Sequence, residues 1–314
     1  MIRTLFHRSL NRFSGGHLKV WDYFNHVLHS PRHAPRVYFA PGSLWDENNP
    51  WRGSRDHTTS EWDVADADVL FLAGRDWRML SGSQRREPPV PVVNLIQHVR
   101  HAAPDDPRRR FLTHRAVRIC VSQETAEAIS GTGLVNGPVF VIPNGIDLAA
   151  LPTAAHPDER PHDIVIAGLK APQLADRIRR ELEPTGKKIV SLTTQIPRAD
   201  FLANLAAARI AVLLPNAAEG FYLPAIEAMA LGTLVVCPDC VGNRSFCVPD
   251  ENCLRPAHDE PAIVVAARAA LALPAAKTTA MLAAARETAE RHSIQTERAA
   301  FLAVLNDLDQ IWRS

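Results

Sequence analysis

Short apolar runs separated by polar, helix-forming stretches make up most of this chain. In the first half such runs cover residues 2–6, 36–39, 69–73, 90–96, 117–121 and 139–142; in the second they cover 163–167, 189–192, 210–214 and 234–236. They are too short for helices and rich in β-branched residues, so they predict buried strands. Between them the period changes. Leu18, Trp21, Phe24 and Leu28 recur at helical spacing, Ser122 reads as the N-cap of a helix reaching Ile129, and residues 225–231 are strong helix formers closed by Gly232. From Glu260 the chain is Ala-rich and helical apart from the LALP at residues 271–274, and its last helix carries Phe301, Leu305, Leu308 and Trp312 on one stripe. Strands alternating with helices predict an α/β fold of parallel sheets with helices on both faces, whose ligands bind beyond the carboxyl ends of the strands.

A length of 314 residues exceeds what one core usually organises, so two domains are expected. The turn signal Asn144-Gly145 lies within VIPNGID, and the boundary is placed near Asp147, giving domains 1–147 and 148–314. Lys plus Arg number 35 and Asp plus Glu 34, which leaves no overall field for nucleic acid. Arg108, Arg109 and Arg110 follow Asp105 and Asp106 and read as a solvated face, with peripheral membrane contact as the alternative. No apolar run approaches a bilayer span, and the N-terminal MIRTLFHRSLNRF lacks a signal-peptide core, so a soluble cytoplasmic protein is expected.

Two features invite chemistry but have plainer readings. Four of the five cysteines are Cys237, Cys240, Cys247 and Cys253, a spacing that can bind zinc or form a redox pair, yet Cys237 and Cys120 end or occupy buried strands, where free cysteine acts as a small hydrophobe. Residues 41–66 form a long polar segment bearing Trp45, Trp51 and Trp62, which either stack on an acceptor sugar or pin the loop to the body.

The most informative stretch is NAAEGFYLPAIEAMALG, residues 216–232, between the apolar runs IAVLLP and TLVVC. Strand, loop, helix and strand follow one another. Pro224 suits a first-turn position, so the loop delivers the amides of Phe221, Tyr222 and Leu223 to a helix start, a geometry that binds anions. Glu219 and Glu227 flank it, and two carboxylates beside a phosphate site suit a ligand rich in hydroxyls. A helix start, two acceptors and Gly220 suggest a nucleotide sugar. Ser14-Gly15-Gly16-His17 before the first helix reads as a tight turn or a backbone approach to a ligand; it is not G-x-G-x-x-G, which argues against a dinucleotide oxidoreductase. Asp66-Ala67-Asp68 matches a metal-pair pattern formally but reads as a turn.

E-G-F-x-L-P-x-x-E-A-M-A-x-G resembles the E-x7-E signature of retaining GT-B glycosyltransferases of glycosyltransferase family 4. The resemblance implies two Rossmann-like domains facing a central cleft, with the donor held by the second and the last helix, about 294–312, crossing back to the first. It implies transfer of a sugar from a nucleotide diphosphate sugar to a hydroxyl acceptor, whether glycan, lipid-linked or small molecule, with no metal and no further cofactor. Gly15 and Gly16 would face the donor, His98 would lie near its sugar hydroxyls, and Ile196 would close over the base. Glu219, His98 and Lys170 would serve the chemistry, and Lys170, Glu219, Gly220, Phe221, Tyr222, Leu223 and Glu227 would bind the donor.

The chain departs from the family in one place: Gly168-Leu169-Lys170 stands where family members carry Gly-Arg with a Lys five residues on. Lys170 is then the best remaining cation, with Arg177 as a second. Arg198 is either a helix-start surface charge or a phosphate contact, and Asn243 and Arg244 read as a solvated loop, with lining the cleft as the alternative. Because of the lost Arg, a non-catalytic nucleotide-sugar or glycan-binding subunit is the first rival reading; another GT-B enzyme, such as an epimerase or phosphorylase, is the second.

Overall fold

The computed structural model describes residues 1–11, 14–47 and 49–313. Arg12 and Phe13 at the end of the basic N-terminal stretch, Asn48 in the Trp-bearing segment, and Ser314 lie outside them. The chain forms two compact units, Met1–Asn144 together with the chain from Gln295 onward, and Gly145–Ile294.

The first unit is built on β1 (Ile2–Arg8), β2 (His33–Phe39), β3 (Thr58–Thr59), β4 (Val69–Ala73), β5 (Val92–Ile96), β6 (Val117–Cys120) and β7 (Val139–Val141), in the order β3-β2-β1-β4-β5-β6-β7. Every pairing is parallel. Parallel strands are covered on both faces, so β4 and β5 are buried throughout and apolar without alternation except for Asn94, whose side-chain amide donates to the Leu72 carbonyl at 2.9 Å. The strand order reverses between β1 and β4, which makes their carboxyl ends the switch point where such sheets bind ligands. Helices α1 (Gly15–Leu28), α2 (Gly82–Arg86) and α3 (Gln123–Ser130) connect the strands. Ser122 caps α3 by accepting from the Thr125 amide, as its sequence predicts.

The Trp-bearing segment is less irregular than its polarity suggests, for it contains a 3-10 stretch, Pro50–His57, and the short edge strand β3. Trp51 is fully buried against Trp21, Phe24 and Phe39, at 5.2, 6.2 and 5.6 Å between ring centroids. Trp62 packs on the cluster around Leu5, Leu70 and Trp77, and Trp45 lies between Phe39 and the Arg55 guanidinium. The rings hold the segment to the sheet. Asp66 and Asp68 both pair with Arg3, which occupies the formal metal-pair motif with a structural cation.

The second unit carries β8 (His162–Ala167), β9 (Ile189–Leu192), β10 (Ala208–Leu213) and β11 (Leu234–Val236) in the parallel order β11-β10-β8-β9. Its helices are α4 (Pro172–Leu182), α5 (Arg198–Ala206), α6 (Leu223–Ala230), α7 (Glu260–Leu271) and α8 (Ala275–Arg291). Ile164, Ile166, Ile178, Val212, Val236, Ile263 and Met281 belong to one core between sheet and helices. The two ends of the unit are tied together: Ile146 donates to the His292 carbonyl and accepts from the Ile294 amide, both at 2.8 Å. Gly145 is required here, since a Cβ would lie 2.5 Å from the Ser293 carbonyl oxygen.

The chain then completes the first unit with α9 (Ile294–Asn306) and α10 (Leu308–Arg313). The continuous helix expected over 294–312 is therefore broken at Asp307, beside Asn306, two weak helix formers in succession. Phe301, Leu305 and Leu308 are buried, and Phe301 meets Tyr23 of α1 edge-on at 4.7 Å. Fully buried charge accompanies this packing. Lys19 Nζ lies 2.5 Å from Glu297 Oε2 and 2.8 Å from Asp22 Oδ2, and His26 Nε2 lies 3.2 Å from Glu297 Oε1. Burial alone would push the Lys19 ammonium down and the Glu297 carboxyl up; their pairing reverses both directions.

No single described helix is long and apolar enough to cross a membrane. All five cysteines are buried free thiols, and no described group of three or more His, Cys, Asp or Glu could hold a metal ion. Burial pushes the Cys120 and Cys240 thiols up to about 12.

Candidate functional site

The expected site residues fall into two groups, one in each unit. In the second unit the loop after β10 turns into α6 with Tyr222 at the N-cap and Pro224 in the first turn. The helix is apolar on nearly every face because it is sandwiched in the interior, and Glu227 is the charged exception, 1% exposed.

Each carboxylate is matched by a cation. Lys170 Nζ, in the turn after β8, donates to Glu219 Oε1 at 2.6 Å, and the Asn216 amide donates to the same oxygen at 2.9 Å. Arg198 Nη2, at the first residue of α5, donates to Glu227 Oε1 at 2.6 Å. The Lys170 ammonium also stands over the Tyr222 ring, 5.4 Å from its centroid. Lys170 is thus drawn into the loop by a carboxylate and an aromatic face, although it remains nearly half exposed. Arg177, the second cation expected from sequence, pairs instead with Glu260 at 2.5 Å on another surface of α4.

The backbone of the loop is set by a distant glycine. The Tyr222 amide donates to the Gly242 carbonyl at 2.9 Å, and the Val241 amide donates to the Ala217 carbonyl at 3.0 Å. Of the three amides expected to face an anion, that of Tyr222 is therefore committed within the protein. Among the described residues no main-chain carbonyl accepts from the Phe221 or Leu223 amide. A Cβ on Gly242 would lie 2.8 Å from the Phe221 nitrogen and 2.9 Å from Glu219 Cβ, so the loop is laid directly on this glycine. Phe221 completes the support, with its ring 4.9 Å from Phe246 and 5.7 Å from His292. Burial raises the Tyr222 phenol well above its ordinary value, which keeps it neutral.

Asn243 was expected in a solvated loop, but it is fully buried. Its amide nitrogen donates to the Pro238 carbonyl at 3.0 Å, and its oxygen accepts from the Cys240 amide at 3.2 Å. Arg244 pairs with Asp239 at 2.6 Å on the surface. Ile196 is half-buried in the loop between β9 and α5, two residues before Arg198.

In the first unit Gly15 and Gly16 open α1, where Ser14 caps the helix. Gln97, just beyond β5, donates its side-chain amide to the Gly16 carbonyl at 3.3 Å, and a Cβ on Gly16 would lie 3.3 Å from its oxygen. His98 caps the following 3-10 turn, with Nδ1 accepting from the Arg100 amide at 3.1 Å, which puts the proton of the neutral ring on Nε2. His101 is buried, and desolvation together with the Arg108 guanidinium pushes its imidazole down to about 3, so it stays neutral. At the switch point His7 and Asp76, both buried, are 2.8 Å apart, and Asp76 also accepts from the Ala73 amide.

Sequence reasoning missed Gly242, Asn216, Gln97 and the His7–Asp76 pair. Each acts through a partner distant in sequence or through its backbone, and no short motif marks them. The Arg198–Glu227 pair joins two positions that the sequence singled out separately.

The parallel α/β architecture in two units, of seven and four strands, is the GT-B fold. Residues 146–272, the second unit up to the end of α7, match the family model described as Glycosyl transferases group 1. Over the whole chain the fold is similar to sucrose-phosphate synthase from Thermosynechococcus elongatus, with a TM-score of 0.73 at 15% identity, covering 99% of this chain and 100% of that one. It is similar to Anabaena HepE, solved with UDP and glucose, with a TM-score of 0.73 at 14% identity over 98% and 100% of the two chains. It is also similar to the lipopolysaccharide outer core galactosyltransferase WaaB, with a TM-score of 0.69 at 12% identity over 98% and 99%. No curated protein matches the chain in sequence.

Proposed function

We propose that the protein is a retaining glycosyltransferase of the family 4 type, acting on the cytoplasmic side in the synthesis of a glycan or glycoconjugate. It moves a sugar from a nucleotide diphosphate sugar to a hydroxyl acceptor. The observation that carries this reading is the start of α6, where two uncommitted amides and the helix dipole lie between two carboxylates, each with a cation at 2.6 Å. A hydroxyl-rich anion fits such a site, and the segment that contains it is the one the family model matches.

In this reading the donor diphosphate takes the Phe221 and Leu223 amides and Lys170. Glu227 accepts from the ribose hydroxyls and Ile196 closes over the base. Glu219 accepts from the sugar hydroxyls and favours the positive charge that develops on the ring. The bond between the anomeric carbon and the diphosphate oxygen breaks, and the acceptor oxygen bonds that carbon on the same face. The acceptor proton passes to the departing phosphate. Helix and lysine supply the positive charge that the leaving group needs, so the mechanism calls for no metal. In the first unit the resemblance assigns Gly15, Gly16 and His98 as donor and sugar ligands.

HepE structures that share this fold hold UDP and UDP-glucose, which makes UDP-glucose the first donor to test. The assay is nucleotide release and sugar transfer over a panel of nucleotide sugars. A second reading, a subunit that binds the nucleotide sugar without turnover, is favoured by Leu169 at the place of the family arginine. Binding of a donor with neither release nor transfer would decide for it.

A further inference from the structure

The pair between Arg198 and Glu227 is unequal. The Glu227 side chain is 1% exposed, whereas 34% of the Arg198 side chain reaches solvent. Helical side chains lean toward the helix N-terminus, so Glu227 directs its carboxylate back along α6. Glu227 lies one helical turn on from Leu223, so Arg198 is held on the face of α6 that leads back to the helix start, where no main-chain carbonyl among the described residues accepts from the Phe221 or Leu223 amide.

The charges make this position informative. Glu219 and Glu227 offset Lys170 and Arg198, and Lys170 is already divided between Glu219 and the Tyr222 ring. A diphosphate adds two negative charges. The guanidinium has five N–H donors in a fixed plane and Nη2 alone is bound to Glu227, so it can hold the carboxylate and a phosphate oxygen together.

We propose that Arg198 is a phosphate ligand for the donor, aimed by the buried Glu227. This rests on the reading of the second unit as a nucleotide diphosphate sugar site. Glu227 then has two tasks, accepting from the ribose and fixing the cation that meets the diphosphate.

The test is calorimetric titration of the full chain with UDP, GDP and ADP, and with the nucleoside matching whichever diphosphate binds. In Arg198→Lys, which keeps the charge but loses the planar fork, the diphosphate should bind about tenfold more weakly while the nucleoside changes less than about twofold. Arg198→Met combined with Glu227→Gln avoids stranding a buried charge and, against Glu227→Gln alone, should again lose affinity for the diphosphate only. Equal losses for nucleoside and diphosphate would overturn the proposal and leave Arg198 as a support for Glu227. Unchanged affinity for both would overturn it as well, making Arg198 a counter-ion. A wild type that binds no nucleoside diphosphate is a different result, since it removes the donor reading and this proposal together.

Discussion

At the scale of single residues the two glutamates of the loop and helix should behave differently. Glu219→Ala removes an acceptor that matters most as positive charge develops, and kcat should fall about 100- to 1,000-fold with nucleotide affinity largely kept. Glu227→Ala should instead weaken donor binding by about ten- to a hundredfold, because hydrogen bonds to a charged group contribute about 1.5–3 kcal/mol. Normal transfer by both variants would remove the site assignment. Gly242→Ala tests the support beneath them. Its Cβ would push on Phe221 and Glu219, and overpacking of this kind costs about 1–3 kcal/mol in denaturant unfolding, with donor affinity falling too. His101 gives a pH dependence. Its imidazole is pushed down from 6.5 to about 3 in the folded chain, so below pH 6.5 the unfolded chain takes up a proton that the native chain refuses. Its contribution to stability is full above that pH and falls by about 3 kcal/mol between pH 7 and pH 4. Urea unfolding of His101→Gln at both pH values should show the smaller loss.

At the scale of elements, α9 and α1 are joined by buried charge as well as by Phe301 and Tyr23. Removing Glu297 leaves the buried Lys19 with Asp22 and takes the carboxylate from His26, so Glu297→Ala should cost about 3–5 kcal/mol. Replacing Lys19 and Glu297 together by Met and Gln should cost much less, and a thermal-melting comparison distinguishes the two. The α6 loop illustrates how far local pattern reaches. Pro224, Gly232 and the apolar runs of β10 and β11 announce strand, loop, helix and strand, because each rests on neighbours in sequence. That the Tyr222 amide is committed to Gly242, some twenty residues on, is a tertiary matter and could not be read there. The Trp-bearing segment shows the opposite error: its polarity concealed a 3-10 stretch and an edge strand, since Trp51 and Trp62 anchor it through packing that composition does not reveal.

At the scale of the whole molecule, the second unit is one continuous stretch of chain with its own sheet and core, closed at its ends by Ile146 and His292–Ile294. Residues 145–294 expressed alone should therefore fold and bind the donor nucleotide, as far-UV circular dichroism and titration would show; failure to bind while folded would place donor ligands elsewhere. In the full chain a nucleotide at 100 times its dissociation constant should raise stability by about 2.7 kcal/mol, visible as a higher melting temperature. The five buried thiols should react with a thiol reagent only after denaturation.

By itself the sequence determined the parallel α/β class, the strand-loop-helix at residues 216–232 and its two acids, since these depend on periodicity, caps and turn residues within a few positions of one another. Tertiary structure alone decided which cation serves which carboxylate, which amides lack a main-chain partner, and that Arg198 pairs with Glu227 whereas Arg177 pairs with Glu260. A long side chain on an exposed helix end has many partners within reach, and only the packing of α5 beside α6 selects Glu227.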